Sequence, residues 1–143
     1  ITYGDWSSDV CSSDLLASYQ GFARDGFELK AIFDSNPKFY SYSIRNVVVS
    51  DVENIVNVCR ERLIDIGVIC TPASAAQEVA NHYVEGGVKG IWNFAPTELV
   101  VPEHVILVHE HLTRGLLTIS YHISHRYGEE IELEPEIVPS EET

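Results

Sequence analysis

The sequence predicts an α/β domain built on a doubly wound parallel sheet. Three observations predict it. Short apolar runs alternate with segments of helical periodicity, as β-α units require. The joints between them are only a few residues long and carry Pro, Gly, Asn or Asp. The apolar runs are almost uninterrupted, as in DIGVIC at 65–70, which fits strands covered on both faces rather than half-exposed ones.

Taken in order, LLASYQGF (Leu15 to Phe22) reads as the end of an amphipathic helix, stopped by Gly21 and Gly26. FELKAIF (Phe27 to Phe33) alternates as a strand does, and Asp34-Ser35-Asn36-Pro37 ends it. NVVVS (Asn46 to Ser50) is a second, shorter strand. Asp51 is placed to cap the helix after it, where Val52, Ile55, Val56 and Cys59 recur at helical spacing. Asp65 to Cys70 is the next strand, broken at Thr71-Pro72. A helix starts at Ser74-Ala75-Ala76 and ends near Gly86-Gly87. VKGIWNF (Val88 to Phe94) and VILV (Val105 to Val108) are the last two strands. Leu112, Leu116, Ile119 and Ile123 then mark one apolar face of a closing helix.

Composition narrows the function. The chain has 143 residues, 45% of them apolar, enough for one domain with its own core. Nine Lys+Arg against 22 Asp+Glu give a net charge of −13, which argues against binding DNA or RNA unaided, because phosphate recognition needs a cationic footprint. Seven of those acids are glutamates between Gly128 and Thr143, read as an acidic disordered tail. No apolar run is long enough for a membrane span. Three cysteines without C-x-x-C spacing point to free thiols and a reducing, cytoplasmic setting.

Residues 1–14, ITYGDWSSDVCSSD, differ from the rest. They are rich in Ser and Asp, repeat SSD, and show neither helical nor strand periodicity. They lack the basic start and apolar middle of a secretory signal. Two readings stand: a disordered polar terminus, or a non-native segment, since WSSDVCSSDL resembles a translated sequencing adaptor.

Ligands of open α/β sheets bind beyond the carboxyl ends of the strands, so the residues just after each run are the site candidates. Asp34 follows the first complete strand. A carboxylate there can accept both hydroxyl hydrogens of an adenosine ribose and disfavours a 2′-phosphate, or it is an ordinary turn aspartate. Cys70, Thr71 and Pro72 lead into a helix start whose free N–H groups can face an anion or a ribose, as in any β-α loop. Asn93, Phe94, Ala95 and Pro96 follow the later strand. Asn93 offers both donor and acceptor to a carboxamide, or is a turn residue beside a packed Phe. A glycine fingerprint belongs about twenty residues before Asp34, where Ser8, Val10 and Ser13 stand instead. Side chains there obstruct the approach of a pyrophosphate, and Asp9 and Asp14 repel it.

Other constellations are weaker. The pairs His109 with His111 and His122 with His125 suggest a metal, but no Cys or carboxylate cluster completes a site. Trp92 fits the core. No nucleophile elbow or acid/base pair is present, so no catalytic residue and no metal ligand is assigned.

The stretches LLASYQGF, FELKAIFDSNP, IDIGVICTPASAAQEVA and GGVKGIWNFAPTELVVPEHV, in that order and spacing, resemble the C-terminal NAD(H)-binding domain of the Rex redox-sensing transcriptional repressors. The resemblance runs from Leu15 to about Arg126. It implies a Rossmann-like doubly wound sheet over 15–109 and a dimerisation helix over 110–127, exchanged between the two copies of a homodimer. It implies a non-enzymatic sensor in which NAD+ permits operator binding and NADH closes the dimer and releases DNA. Operator DNA is then bound only through a winged-helix domain that this chain lacks. The resemblance also places Asp34 at the adenosine ribose, Cys70, Thr71 and Pro72 at the ribose and nicotinamide side, and Asn93, Phe94, Ala95 and Pro96 nearest the nicotinamide. It puts His111 where many members carry an Asp near the domain interface. The competing expectation is the CoA- or nucleotide-binding domain of an acyl-CoA synthetase-type enzyme. An oxidoreductase fragment would need a proton donor from a substrate domain, and a domain that only dimerises, its cofactor site lost, is the fourth reading.

Overall fold

The computed structural model describes residues 2–3, 19–40 and 42–127. Most of the segment 1–14 and all of the acidic stretch 128–143 therefore lie outside the described residues. The chain divides into two compact units, 1–111 and 112–143.

The first unit is a seven-stranded sheet. Its strands are β1 (Thr2–Tyr3), β2 (Ile32–Asp34), β3 (Ser43–Ile44), β4 (Val47–Asp51), β5 (Ile66–Cys70), β6 (Gly90–Asn93) and β7 (Ile106–His109). Their order is β3-β4-β2-β1-β5-β6-β7, and every pair except β3 with β4 is parallel. Counting the parallel strands alone, this is the 3-2-1-4-5-6 order of the doubly wound sheet, reversing direction between β1 and β5. The expected fold class is the one observed.

Two strands were not expected. No strand is predicted before Phe27, yet Thr2–Tyr3 pair with Phe33–Asp34 on one side and Ile69–Cys70 on the other. The β3–β4 hairpin turns on Arg45 (φ 51°) and Asn46 (φ 66°), both left-handed, the geometry that suits a two-residue hairpin loop. The strand expected over Phe27 to Phe33 is shorter, because its ladder begins only at Ile32, where β4 lies alongside.

The helices are α1 (Gly21–Arg24), α2 (Ile55–Arg62), α3 (Ala73–Glu85) and, in the second unit, α4 (Arg114–Tyr127). Gly21 opens α1, and residues 15–18 of the helix expected over Leu15 to Phe22 lie outside the described residues; Gly26, at φ 87°, closes the turn that follows. Asp51 caps as expected: its side chain accepts the Glu53 N–H at 3.0 Å and starts a 3-10 turn (Val52–Asn54) that runs into α2. Gly86 and Gly87 end α3, with Gly87 at φ 88°.

The register decides which side chains share a face. Gly67 and Ile69 of β5 lie beside Ile91 and Asn93 of β6 and Leu107 and His109 of β7, and this is the face that α2 and α3 cover. Ile55 and Cys59 from α2 and Ala76, Val79, Ala80 and Tyr83 from α3 complete its core. The opposite face carries a smaller cluster of Ile32, Val49 and Cys70. Burial on both faces was expected, but Ile66, Ile106 and Val108 remain exposed on that second face among the described residues.

In the second unit, α4 begins at Arg114, so the helix expected from Glu110 starts one turn later and Leu112 precedes it. Leu112, Leu116, Ile119 and Ile123 are all exposed, and Tyr121 stacks on His125 with ring centroids 4.2 Å apart. No helix among the described residues is long and apolar enough to cross a membrane.

Candidate functional site

Parallel pairing brings the carboxyl ends of six strands into one row. Asp51 of β4 lies beside Asp34 of β2, Asp34 beside Tyr3 of β1, and Tyr3 beside Cys70 of β5. Asp34 and Cys70 are thus two strand spacings apart, about 10 Å, on either side of the switch in winding. The residues read from sequence as one site do converge at this edge.

Asp34 is buried, and its Oδ1 accepts the Asn36 N–H at 2.7 Å. That bond folds the backbone back on the strand end and fixes the carboxylate at the rim, as an Asx turn does. Asp51, one strand outward, presents a second carboxylate. The Tyr40 phenol sits against it, held above its ordinary pKa by partial desolvation, then by the hydrogen bond to Asp51 and the charges of Asp51, Asp34 and Glu53. This end of the site is strongly acidic. Its signal in the sequence was the shared ending of two apolar runs, IFD and VVVSD.

Cys70 and Thr71 are buried, and Thr71 Oγ1 donates to the Pro72 carbonyl at 3.3 Å. Pro72 stands at the N-cap of α3 without a side-chain cap, so the first amides of that 13-residue helix point out of the carboxyl edge. Tyr83 fixes how closely α3 lies to β5. A Cβ built on Gly67 would come within 2.7 Å of its ring, so only glycine admits this packing.

The third loop differs from expectation in one respect. Asn93 is completely buried, and its amide is committed to its own chain. Oδ1 accepts the Ala95 N–H at 3.0 Å, while Nδ2 faces the carbonyls of Ala95 at 3.3 Å and Thr97 at 3.0 Å and the His109 Nδ1 at 3.0 Å. Asn93 therefore shapes the loop rather than facing outward from it. Phe94 is half-buried, with its ring 4.6 Å from that of Trp92; Ala95 is buried and Pro96 exposed. Gln77 of α3 grips the far end of the same loop, accepting the Val100 N–H and donating to the Val100 carbonyl, each at 2.9 Å. Neither Gln77 nor the tie between His109 and Asn93 is visible in a single sequence, since both join residues far apart in the chain.

Ser8, Val10 and Ser13, where the sequence places a pyrophosphate-facing turn, lie outside the described residues. No group of three His, Cys, Asp or Glu able to hold a metal occurs among the described residues.

A 3-2-1-4-5-6 parallel sheet with a buried acid closing its second strand defines a Rossmann-type nucleotide-binding domain. Residues 13–97 match the CoA binding domain family. The Redox-sensing transcriptional repressor Rex of Clostridium kluyveri is 50% identical over 105 residues, 73% of this chain and 50% of its own length. That of Clostridium perfringens strain 13 is 46% identical over 110 residues, 77% of this chain and 52% of its own length. A crystal structure of RSP, a Rex-family repressor, in complex with beta-NADH aligns at a TM-score of 0.79 and 39% identity, covering 88% of this chain and 60% of that one. RSP in complex with beta-NAD+ and operator DNA aligns at 0.76 and 39% identity, covering 88% and 57%. The chain belongs to the CoA binding domain family, and over that domain it is similar to the Rex repressors. It spans about half the length of the curated relatives it matches.

Proposed function

We propose that this chain is the NAD(H)-sensing and dimerisation domain of a redox-sensing transcriptional repressor, one that lets go of operator DNA when NADH binds. The observation that carries the reading is the row of strand ends at the winding switch, with Asp34 fixed at one side and the α3 amino terminus at the other. RSP, which shares this fold, has been crystallised with both redox forms of the cofactor.

Each stretch of the edge suits one part of a dinucleotide. Asp34 would accept the adenosine ribose hydroxyls, and the neighbouring Asp51 makes a 2′-phosphate still less welcome. Cys70, Thr71 and Pro72, with the first amides of α3, would lie along the second ribose. Phe94, Ala95 and Pro96 would border the nicotinamide, with Asn93 holding their loop in place. The pyrophosphate end fits less well, since Ser8, Val10 and Ser13 carry side chains where a glycine fingerprint allows close approach. Bound NAD(H) supplies a ring that is planar and cationic when oxidised, neutral and puckered when reduced. A dry wall at Phe94 favours the neutral form, because burying a charge costs more than burying a neutral ring.

The switch is a shift of population between dimer forms. A ligand moves it only by its difference in affinity for the two, and each tenfold difference is worth about 1.4 kcal/mol. The homodimer would form through the exposed apolar face of Leu112, Leu116, Ile119 and Ile123. Operator DNA would be held by a separate winged-helix domain, because a chain of net charge −13 lacks a phosphate-binding surface. The role is that of a cytoplasmic sensor and not of an enzyme; the acyl-CoA synthetase-type reading is not favoured, since the relatives are named as repressors. A thermal-shift comparison of NADH with coenzyme A tests the reading. NADH is expected to raise Tm and coenzyme A to leave it unchanged; the reverse pattern would transfer the chain to the CoA-binding class.

A further inference from the structure

The loop from Phe94 to Val100 is tied down by a relay that ends in a titratable ring. The chain starts at Asn93, whose orientation is fixed because the Ala95 N–H donates to its Oδ1. The atom facing His109 is therefore Nδ2, which can only donate. His109 Nδ1 must accept, so its proton sits on Nε2, and Nε2 points at Glu98 Oε2 3.3 Å away. The register places this pair side by side: Asn93 and His109 are partners across β6 and β7, and the Glu110 N–H donates to the Asn93 carbonyl at 2.8 Å.

We propose that His109 is a positioning residue for the Phe94–Val100 loop and makes that loop sensitive to pH. The inference rests on the reading of this edge as the NAD(H) site. Neutral His109 accepts from Asn93 on one side, and on the other its Nε2 lies 3.3 Å from the Glu98 carboxylate. Protonated His109 carries hydrogens on both ring nitrogens, and its Nδ1–H would then confront the Asn93 Nδ2 donor at 3.0 Å. Two donors cannot share that distance, so the ring must leave Asn93. Glu98 stands on the other side of the ring, largely exposed and able to follow it.

Among the described residues, Glu98 of the loop is the charged group that faces the His109 ring, and Glu110 and His111 follow it in the chain. β6 contributes only the neutral Asn93. Glu110 is engaged by Trp92 Nε1 at 3.3 Å. Acidification thus exchanges a hydrogen bond to a completely buried amide for an ion pair with a surface carboxylate. The buried amide is the one that holds Ala95 and Thr97, so the loop loosens. His109 is also the last residue of β7, from which the chain continues into its second unit.

The test compares the full chain with His109→Gln, which keeps an acceptor but cannot titrate, and His109→Leu, which keeps neither. The first readout needs no ligand: hydrogen exchange of the Ala95 amide at pH 7.5 and 5.5, corrected for the intrinsic rate. Protection is expected to fall about tenfold at the lower pH in the native chain, a loss of about 1.4 kcal/mol in local opening free energy. It should stay constant in His109→Gln and be already low at pH 7.5 in His109→Leu. Equal protection at both pH values in the native chain, or the same fall in His109→Gln, overturns the proposal. The second readout is NADH affinity at the two pH values, expected to weaken at pH 5.5 in the native chain and not in His109→Gln. If the exchange pattern appears and NADH binds at neither pH, the loop assignment stands and the cofactor reading falls.

Discussion

Replacing Gly67 by alanine probes the joint that sets the height of α3 above the sheet. The new methyl carbon would lie 2.7 Å from Cγ and Cδ2 of Tyr83, about 1 Å inside ordinary carbon–carbon contact. Tyr83 has little room to withdraw, being 1% exposed and packed edge-on against Phe33 with ring centroids 6.5 Å apart. Overpacking of this kind costs roughly 1–3 kcal/mol. At about 3–5 °C per kcal/mol for a domain of this size, Tm should fall by about 3–15 °C. The assay is thermal unfolding followed by circular dichroism on Gly67→Ala, Tyr83→Leu and the double variant. Tyr83→Leu alone opens a cavity and destabilises, but it also removes the ring that the methyl meets. The double variant should therefore lose less than the two single losses combined. A Gly67→Ala protein that melts within 1 °C of the native chain, or strict additivity, would refute the argument that the ring sets this spacing.

Further outcomes follow from the same geometry. Asp34→Ala removes a charged acceptor worth about 1.5–3 kcal/mol at the proposed ribose contact, so NADH affinity measured by calorimetry should drop about ten- to a hundredfold; an unchanged Kd would remove Asp34 from the site. Leu116→Asp with Ile119→Asp puts two charges on the exposed face of α4; light scattering is expected to report a dimer for the native chain and monomers for the variant. Cys59 and Cys70 are both buried, and burial pushes the Cys59 thiol above its ordinary pKa. In a Cys11→Ser chain, a thiol reagent at pH 8 should therefore label neither until denaturant is added. Because the folded Cys59 pKa is raised, the stability tied to its neutral form is complete below the ordinary thiol pKa and is lost as pH rises beyond it. Cys59→Ala should flatten that alkaline decline in a melting series.

Where an element has a long signal of its own, its residues announce it. DIGVIC, the Thr71-Pro72 break and the Gly86-Gly87 stop located β5 and α3 almost to the residue, because a buried parallel strand and a capped helix each leave a local mark. β1 left none: two residues held between β2 and β5 are too few for any period, and only tertiary pairing makes them a strand. The β3–β4 hairpin was hidden because its turn carries Arg45 at positive φ, where Gly or Asp would have advertised it. In the site, Asp34 and the loop after β5 were readable because position beyond a strand end is a local property. Asn93 was found with two parts open, a carboxamide partner or a turn residue, and its bonds within the loop match the second. Whether an amide points outward or inward depends on Ala95, Thr97 and His109, and a single sequence does not say that these surround it.

The central claim is that this edge distinguishes the two redox forms of one cofactor. The direct measurement is the affinity of the full chain for NADH and for NAD+ in parallel calorimetric titrations at pH 7.5. The account predicts that NADH binds at least tenfold more tightly, a difference of about 1.4 kcal/mol. Equal affinities for the two forms would contradict it.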